Sequence, residues 1–189
     1  MLAIALTSLP KDLETSYDQI LGRVKSEDVS DVKTILLWLV LGMRPLALEE
    51  LATVVTFDPS SGRFDPSLAL FHPDYVIQLC SSLVTKGQDN SVRLAHSSVK
   101  EYFLAKPSAW QDNWIENGKG HGLIAYCCVK YLLQDGWYNN STRFPLLKYA
   151  SQFWPIHYSL SNRGPLLCNA VMQFFKVEQV VFMEMGKHA

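Results

Sequence analysis

A mainly α-helical chain is predicted, on three observations. Apolar residues recur at helical spacing along most of the 189 residues. One pair of short strand-like runs, at 83–86 and 91–95, flanks the turn sequence Gly87-Gln88-Asp89-Asn90 and reads as a hairpin. Proline and glycine interrupt the helical pattern often enough to keep the helices short. Hydrophobic residues are 48% of the chain and charged residues 19%, a globular composition fitting one or two domains.

The elements follow in order. SLPKDLETSYDQILGRV (8–24) places Leu9, Leu13, Tyr17, Ile20, Leu21 and Val24 on one helical face. Pro10 suits its first turn, and Asp12 and Glu14 complement its N-terminal dipole. DVSDVKTILLWLVLGM (28–43) is apolar around most of its circumference and is expected to be buried on several sides. Gly42 and Arg44-Pro45 stop it, and Arg44-Pro45 reads as the turn aligning it with the next helix. LALEELATVV (46–55) is a short amphipathic helix, and a loop carrying Pro59, Gly62 and Pro66 follows. HPDYVIQLCSSL (72–83) is a third helix, the hairpin comes next, and a helix runs over 98–105. Three helices and then a hairpin is the order of a winged helix. Further helices are predicted at 120–136, 145–160 and 165–185, so the fold class is mainly α: a winged helix (three helices plus a β-hairpin wing) followed by an α-helical region.

A net charge of −1 provides no global attraction to nucleic acid or an anionic membrane. The N-terminus MLAIALTSLP is a poor signal peptide, and the longest fully apolar run, Ile35–Leu41, is far too short to span a membrane. Cys80, Cys127, Cys128 and Cys168 show no C-x-x-C spacing and read as structural thiols of a cytoplasmic protein. His72, His96, His121 and His157 share no metal-ligand spacing, so no metal site is expected, and no catalytic residue is assigned. If the third helix entered a DNA groove it would offer one Gln and no basic residue, with Lys86, Arg93 and Lys100 for phosphates. No nucleic-acid partner is therefore expected, although a DNA-binding winged helix stays open as a third reading.

VRLAHSSVKEYFLA (92–105) draws attention to His96. Ser98-Val99-Lys100-Glu101 fits the S-x-x-E capping box, with Ser98 as N-cap and Glu101 at the third helical position. Val99, Tyr102 and Phe103 then form an inward face. His96 precedes the helix N-terminus, where the dipole favours a neutral imidazole. From the residues alone it is either a packing residue bonded to nearby backbone or a polar group presented to a ligand.

Five stretches occur in a recognisable order: LPKDLETSYDQIL, ILLWLVLGMRPLALEELA, LCSSLVT, VRLAHSSVKEYFLA and PLLKYASQFWPIH. Together they resemble the region just after the ATPase core of fungal NACHT proteins, STAND-type relatives of NOD-like receptors, whose winged helix carries the label GPI inositol-deacylase. The resemblance covers roughly residues 8–158. It implies a non-enzymatic regulatory piece of a nucleotide-driven switch, with the NACHT nucleotide-binding domain and a C-terminal repeat domain as partners. It implies boundaries at 1–27 (last helix of a small helical domain), 28–106 (winged helix), 107–117 (linker) and 118–189 (helical region). It also implies that His96 senses an ADP phosphate, with Val99, Tyr102 and Phe103 anchoring its helix. For Arg44, an interdomain role is the alternative to shaping the turn.

This sequence departs from the family pattern in several places. It has no GxxxxGK[ST] phosphate loop, so no cofactor is expected in this chain itself, and ADP or ATP only through a NACHT domain. It has no G-x-S-x-G, so the deacylase label carries no activity. Ala47 stands where the family has Thr or Ser, removing a helix cap, a loss of about 0.5–2 kcal/mol. On this reading the chain is a fragment, a truncated gene model or a degraded paralogue, and a stand-alone protein–protein interaction scaffold is the alternative.

Overall fold

The computed structural model describes residues 11–65, 67, 72–105, 118–134 and 144–185, with side chains described as far as Val177. Leu9, Pro10, Pro66 and the predicted linker 107–117 lie outside the described residues. The chain divides into two compact units, Met1–Val55 with Leu70–Ile115, and Thr56–Ala69 with Glu116–Ala189.

The first unit is a winged helix with one helix before it. Its elements are α1 (Lys11–Leu21), α2 (Val29–Leu41), β1 (Leu46–Ala47) and α3 (Leu48–Val54). After the stretch belonging to the second unit come α4 (Tyr75–Cys80), a single 3-10 turn at Ser81–Leu83, β4 (Val84–Lys86), β5 (Ser91–Leu94) and α5 (Ser97–Ala105). Strands β4 and β5 form the antiparallel wing, with Val84 opposite Leu94 and Lys86 opposite Val92. Strand β1 adds to the other edge of β5, placing Leu46 opposite Val92, so the sheet order is β1-β5-β4.

Helix α2 is central. Val32, Ile35, Leu36, Leu37, Trp38 and Val40 are all buried, as expected for a helix apolar nearly all round. It packs against α3, α4 and β5. It ends at Gly42, where an added Cβ would lie 2.5 Å from the Trp38 carbonyl oxygen, so only glycine lets the chain turn this tightly. Helix α1 packs on α5 within this unit.

The second unit contains a short hairpin, β2 (Phe57–Asp58) with β3 (Arg63–Phe64), and three helices, α6 (Lys119–Leu132), α7 (Leu147–Ser159) and α8 (Pro165–Met185). The hairpin falls where sequence patterning shows only a loop, because strands of two residues are too short to display alternation. Its turn is set by Asp58, whose carboxylate accepts from the Ser60 N–H at 2.9 Å and the Ser60 hydroxyl at 2.7 Å. These bonds hold the Asp58 carboxyl down at about 2. Gly62 closes the turn at φ +64°, the left-handed region, against the Tyr126 hydroxyl. Phe57 and Phe64 meet each other and stack edge-on against Tyr126 and Tyr131 of α6. These aromatic contacts explain why 56–69 groups with 116–189, whereas the sequence-based boundaries run 28–106 as one uninterrupted domain. Ala125, Val129, Leu167, Ala170 and Val171 make up the core between α6 and α8, with Trp154 and Phe174 packed against it.

Candidate functional site

The wing leads directly into the joint that carries His96. Strand β5 ends at Leu94, and the Ala95 N–H donates to the Leu83 carbonyl at 2.9 Å, tying the chain to the base of β4. Helix α5 then begins at Ser97, one residue before the expected start, so the Ser98/Glu101 capping box does not form. His96 takes the capping position instead. Its Nδ1 accepts from the Ser98 N–H at 3.2 Å and lies 2.7 Å from the Ser98 hydroxyl. Ser98 is diverted from capping because its hydroxyl also reaches Tyr17 of α1, 2.6 Å away, and is buried at 6% exposure. Glu101 is exposed. Val99, Tyr102 and Phe103 point into the core, and the Tyr102 hydroxyl donates to Asp18.

With Nδ1 turned towards Ser98, the exposed imidazole borders a groove of about 420 Å³. Gly42, Arg44, Pro45, Arg93, His96 and Lys100 are among the residues that line it. Of the three cations that line it, Arg44 is paired with Glu50 and Arg93 with Asp89. Arg93 is steadied by the wing turn, donating to Asp89 at 3.3 Å and to the Ser91 hydroxyl at 3.3 Å. Hydrogen bonds from Ser91 hold the Asp89 carboxyl below the usual carboxylate range, with Arg93 adding to the effect.

Arg44 does more than shape a turn. Its Nη1 and Nη2 donate to the two carboxylate oxygens of Glu50 at 2.8 and 2.6 Å, and Nη1 also reaches the Pro45 carbonyl. Glu50 is 5% exposed, and it accepts from the Ala47 N–H at 2.7 Å. That last bond is the half of a capping box that a glutamate three residues in can supply. The other half is absent because the Ala47 methyl has no acceptor, as the sequence implies. Glu50 was not singled out from sequence, although its spacing from position 47 is the available signal.

The elements that would meet DNA are meagre. Helix α4 has six residues, and Lys86 of the wing donates to Asp74 at 2.8 Å.

The second unit brings together two histidines that sequence spacing left apart. His121 of α6 and His157 of α7 approach Nδ1 to Nδ1 at 2.8 Å, and the Tyr149 hydroxyl lies 2.9 Å from His157 Nε2. His157 is fully buried. Burial, reinforced by the proximity of His121, pushes it down to about 4, so it is neutral at physiological pH. Cys80, Cys127 and Cys128 are buried thiols; burial pushes Cys80 up to about 12 and raises the other two. Such thiols are poor nucleophiles. Among the described residues no cluster of three His, Cys, Asp or Glu could hold a metal ion, and no helix is long and apolar enough to cross a membrane.

No solved structure matches the chain significantly. The azaphilone pigments biosynthesis cluster protein L of Monascus ruber is 30% identical over 189 residues, an alignment that takes in 91% of this chain and 40% of the relative. The chain thus spans less than half of that relative's length. Residues 18–112 match the family described as GPI inositol-deacylase, winged helix domain, a span that covers α2 to α5, the wing and His96. With half of its length inside that match, the chain belongs to the GPI inositol-deacylase winged helix family.

Proposed function

We propose that this chain is a non-catalytic regulatory module of a cytoplasmic NACHT/STAND-type signalling protein. The winged helix packs on a nucleotide-binding domain, and His96 donates a hydrogen bond to the ADP phosphate that holds the resting state. The observation that carries this reading is the orientation of His96: Nδ1 is occupied by Ser98 while the exposed ring lines a groove together with Lys100. A neutral imidazole held this way has one N–H to offer, on Nε2. Nucleotide chemistry belongs to the partner domain. The residues here supply a donor at His96 and the Lys100 ammonium beside it, and exchange of ADP for ATP removes the contact and lets the module swing. A C-terminal repeat domain is the second partner in this scheme.

In a full-length protein carrying the nucleotide domain, His96→Leu is expected to speed ADP release roughly ten- to hundredfold, the loss of one hydrogen bond to a charged group. It is also expected to raise the open or oligomeric fraction. Unchanged exchange kinetics and assembly state would remove the sensor role.

A protein–protein scaffold is the second reading, favoured by one observation. Ile156 and Leu160, at the C-terminal end of α7, and Leu166, Met172 and Phe175 of α8 are large apolar side chains left exposed within the second unit. The DNA-binding reading has less support, because α4 is short and Lys86 and Arg93 are engaged by Asp74 and Asp89.

A further inference from the structure

A donor at His96 Nε2 requires the proton to sit on that nitrogen. A neutral imidazole has two tautomers, and the one protonated at Nδ1 would present a lone pair to the groove instead. We infer that Ser98 is a positioning residue that holds His96 as the Nε2–H tautomer through its backbone N–H, with the Ser98 and Tyr17 hydroxyls following the direction this sets.

The direction of the hydrogen bonds follows from one fixed donor. The Ser98 backbone N–H can only donate, and it points at His96 Nδ1 at 3.2 Å, so Nδ1 is the acceptor. The Ser98 hydroxyl, 2.7 Å from the same nitrogen, must then donate to it as well. A hydroxyl has a single proton, so the 2.6 Å contact between Ser98 and Tyr17 is one in which Tyr17 donates and Ser98 accepts. The chain of donors runs from Tyr17 to Ser98 to His96. Tyr17 and Ser98 are 8% and 6% exposed, so water competes little for these bonds. The Tyr17 ring is itself fixed edge-on against Tyr102, with centroids 5.3 Å apart. The relay therefore starts on α1, one residue before the matched span of 18–112, and makes that helix part of the His96 site.

The functional consequence rests on the sensor reading, but the test does not. Two-bond proton–nitrogen correlation spectra of the 15N-labelled chain at mildly alkaline pH report each imidazole tautomer directly. Wild type is expected to show His96 with a protonated Nε2 and a bare Nδ1. Tyr17→Phe keeps the ring packed on Tyr102 and removes only the hydroxyl. Because that hydroxyl can donate or accept, Tyr17→Phe is expected to leave the Nε2–H tautomer dominant. Ser98→Ala, which keeps the backbone N–H, is expected to do the same, whereas Ser98→Pro, which removes that N–H in the first turn of the helix, is expected to raise the Nδ1–H population roughly fivefold, the worth of one hydrogen bond. Backbone amide shifts of α5 serve as the control for folding. A protonated Nδ1 in wild type, or an unchanged tautomer population in Ser98→Pro, would overturn the inference. A locked tautomer together with His96→Leu that leaves nucleotide exchange unchanged would sink the sensor reading and leave the relay standing.

Discussion

Replacing Arg44 with leucine is expected to destabilise the winged helix by about 2–4 kcal/mol, because it strands a buried carboxylate. Glu50 is 5% exposed and takes two of its three hydrogen bonds from the Arg44 guanidinium. Without Arg44 only the Ala47 N–H stays as a donor. The cost falls in the lower part of the range for broken buried pairs because Arg44 itself is partly solvated, at 30% side-chain exposure. Urea unfolding combined with hydrogen exchange in α2 and α3 would read the loss where it occurs. Arg44→Lys keeps the charge but not the planar fork, and should recover only part of the stability. The double change Arg44→Leu with Glu50→Leu should recover most of it, since removing both partners leaves no unpaired charge. A double variant as unstable as Arg44→Leu would show that the arginine acts through packing rather than through the ion pair.

The second unit is expected to lose stability in mild acid, in a window set by His157. Its folded-state value is pushed down to about 4 by burial, below the value of a solvated imidazole. The unfolded chain therefore binds the proton first as pH falls. The contribution of the neutral buried ring is fully present above about pH 6.5 and fades steadily towards pH 4, by about 3 kcal/mol in all. Tyr149 and His121 face the ring, and neither is an anion able to compensate a new positive charge. The carboxylates with lowered values, Asp58, Asp65, Asp74 and Asp89, titrate below this window, so they do not mask it. Urea midpoints between pH 7 and 4.5, followed by exchange in α6 and α7, provide the measurement. His157→Gln should flatten the profile while still offering polar partners to Tyr149 and His121. A wild-type midpoint independent of pH across the window would contradict this account.

Much of the architecture is visible in the order of residues. The run 28–43, apolar all round, becomes the central helix α2, and the turn Gly87–Asn90 between two short runs becomes the wing. Helix α5 starts one residue early because two side chains compete for the same role. Ser98 has the chemistry of an N-cap, but Tyr17, 81 positions away in sequence, claims its hydroxyl, and His96 caps in its place. The loop with Pro59 and Gly62 hides a hairpin because two-residue strands carry no periodic signal, while its aromatic pair finds α6 only in the folded chain.

The sequence by itself determined roughly where the helices and the wing lie and that this is a winged-helix chain, although Leu46–Ala47, expected in a helix, pair with β5 as β1. Those features depend on periodicity and turn chemistry acting over a few residues. Only the tertiary structure decided what His96 bonds to, that Glu50 is buried against Arg44, that Tyr17 belongs to the same site, and that His121 and His157 meet across 36 positions of sequence. Each of these is settled by which polar groups are enclosed together when apolar faces pack. Once enclosed, a donor or acceptor must find its partner among whatever the fold has placed within about 3 Å.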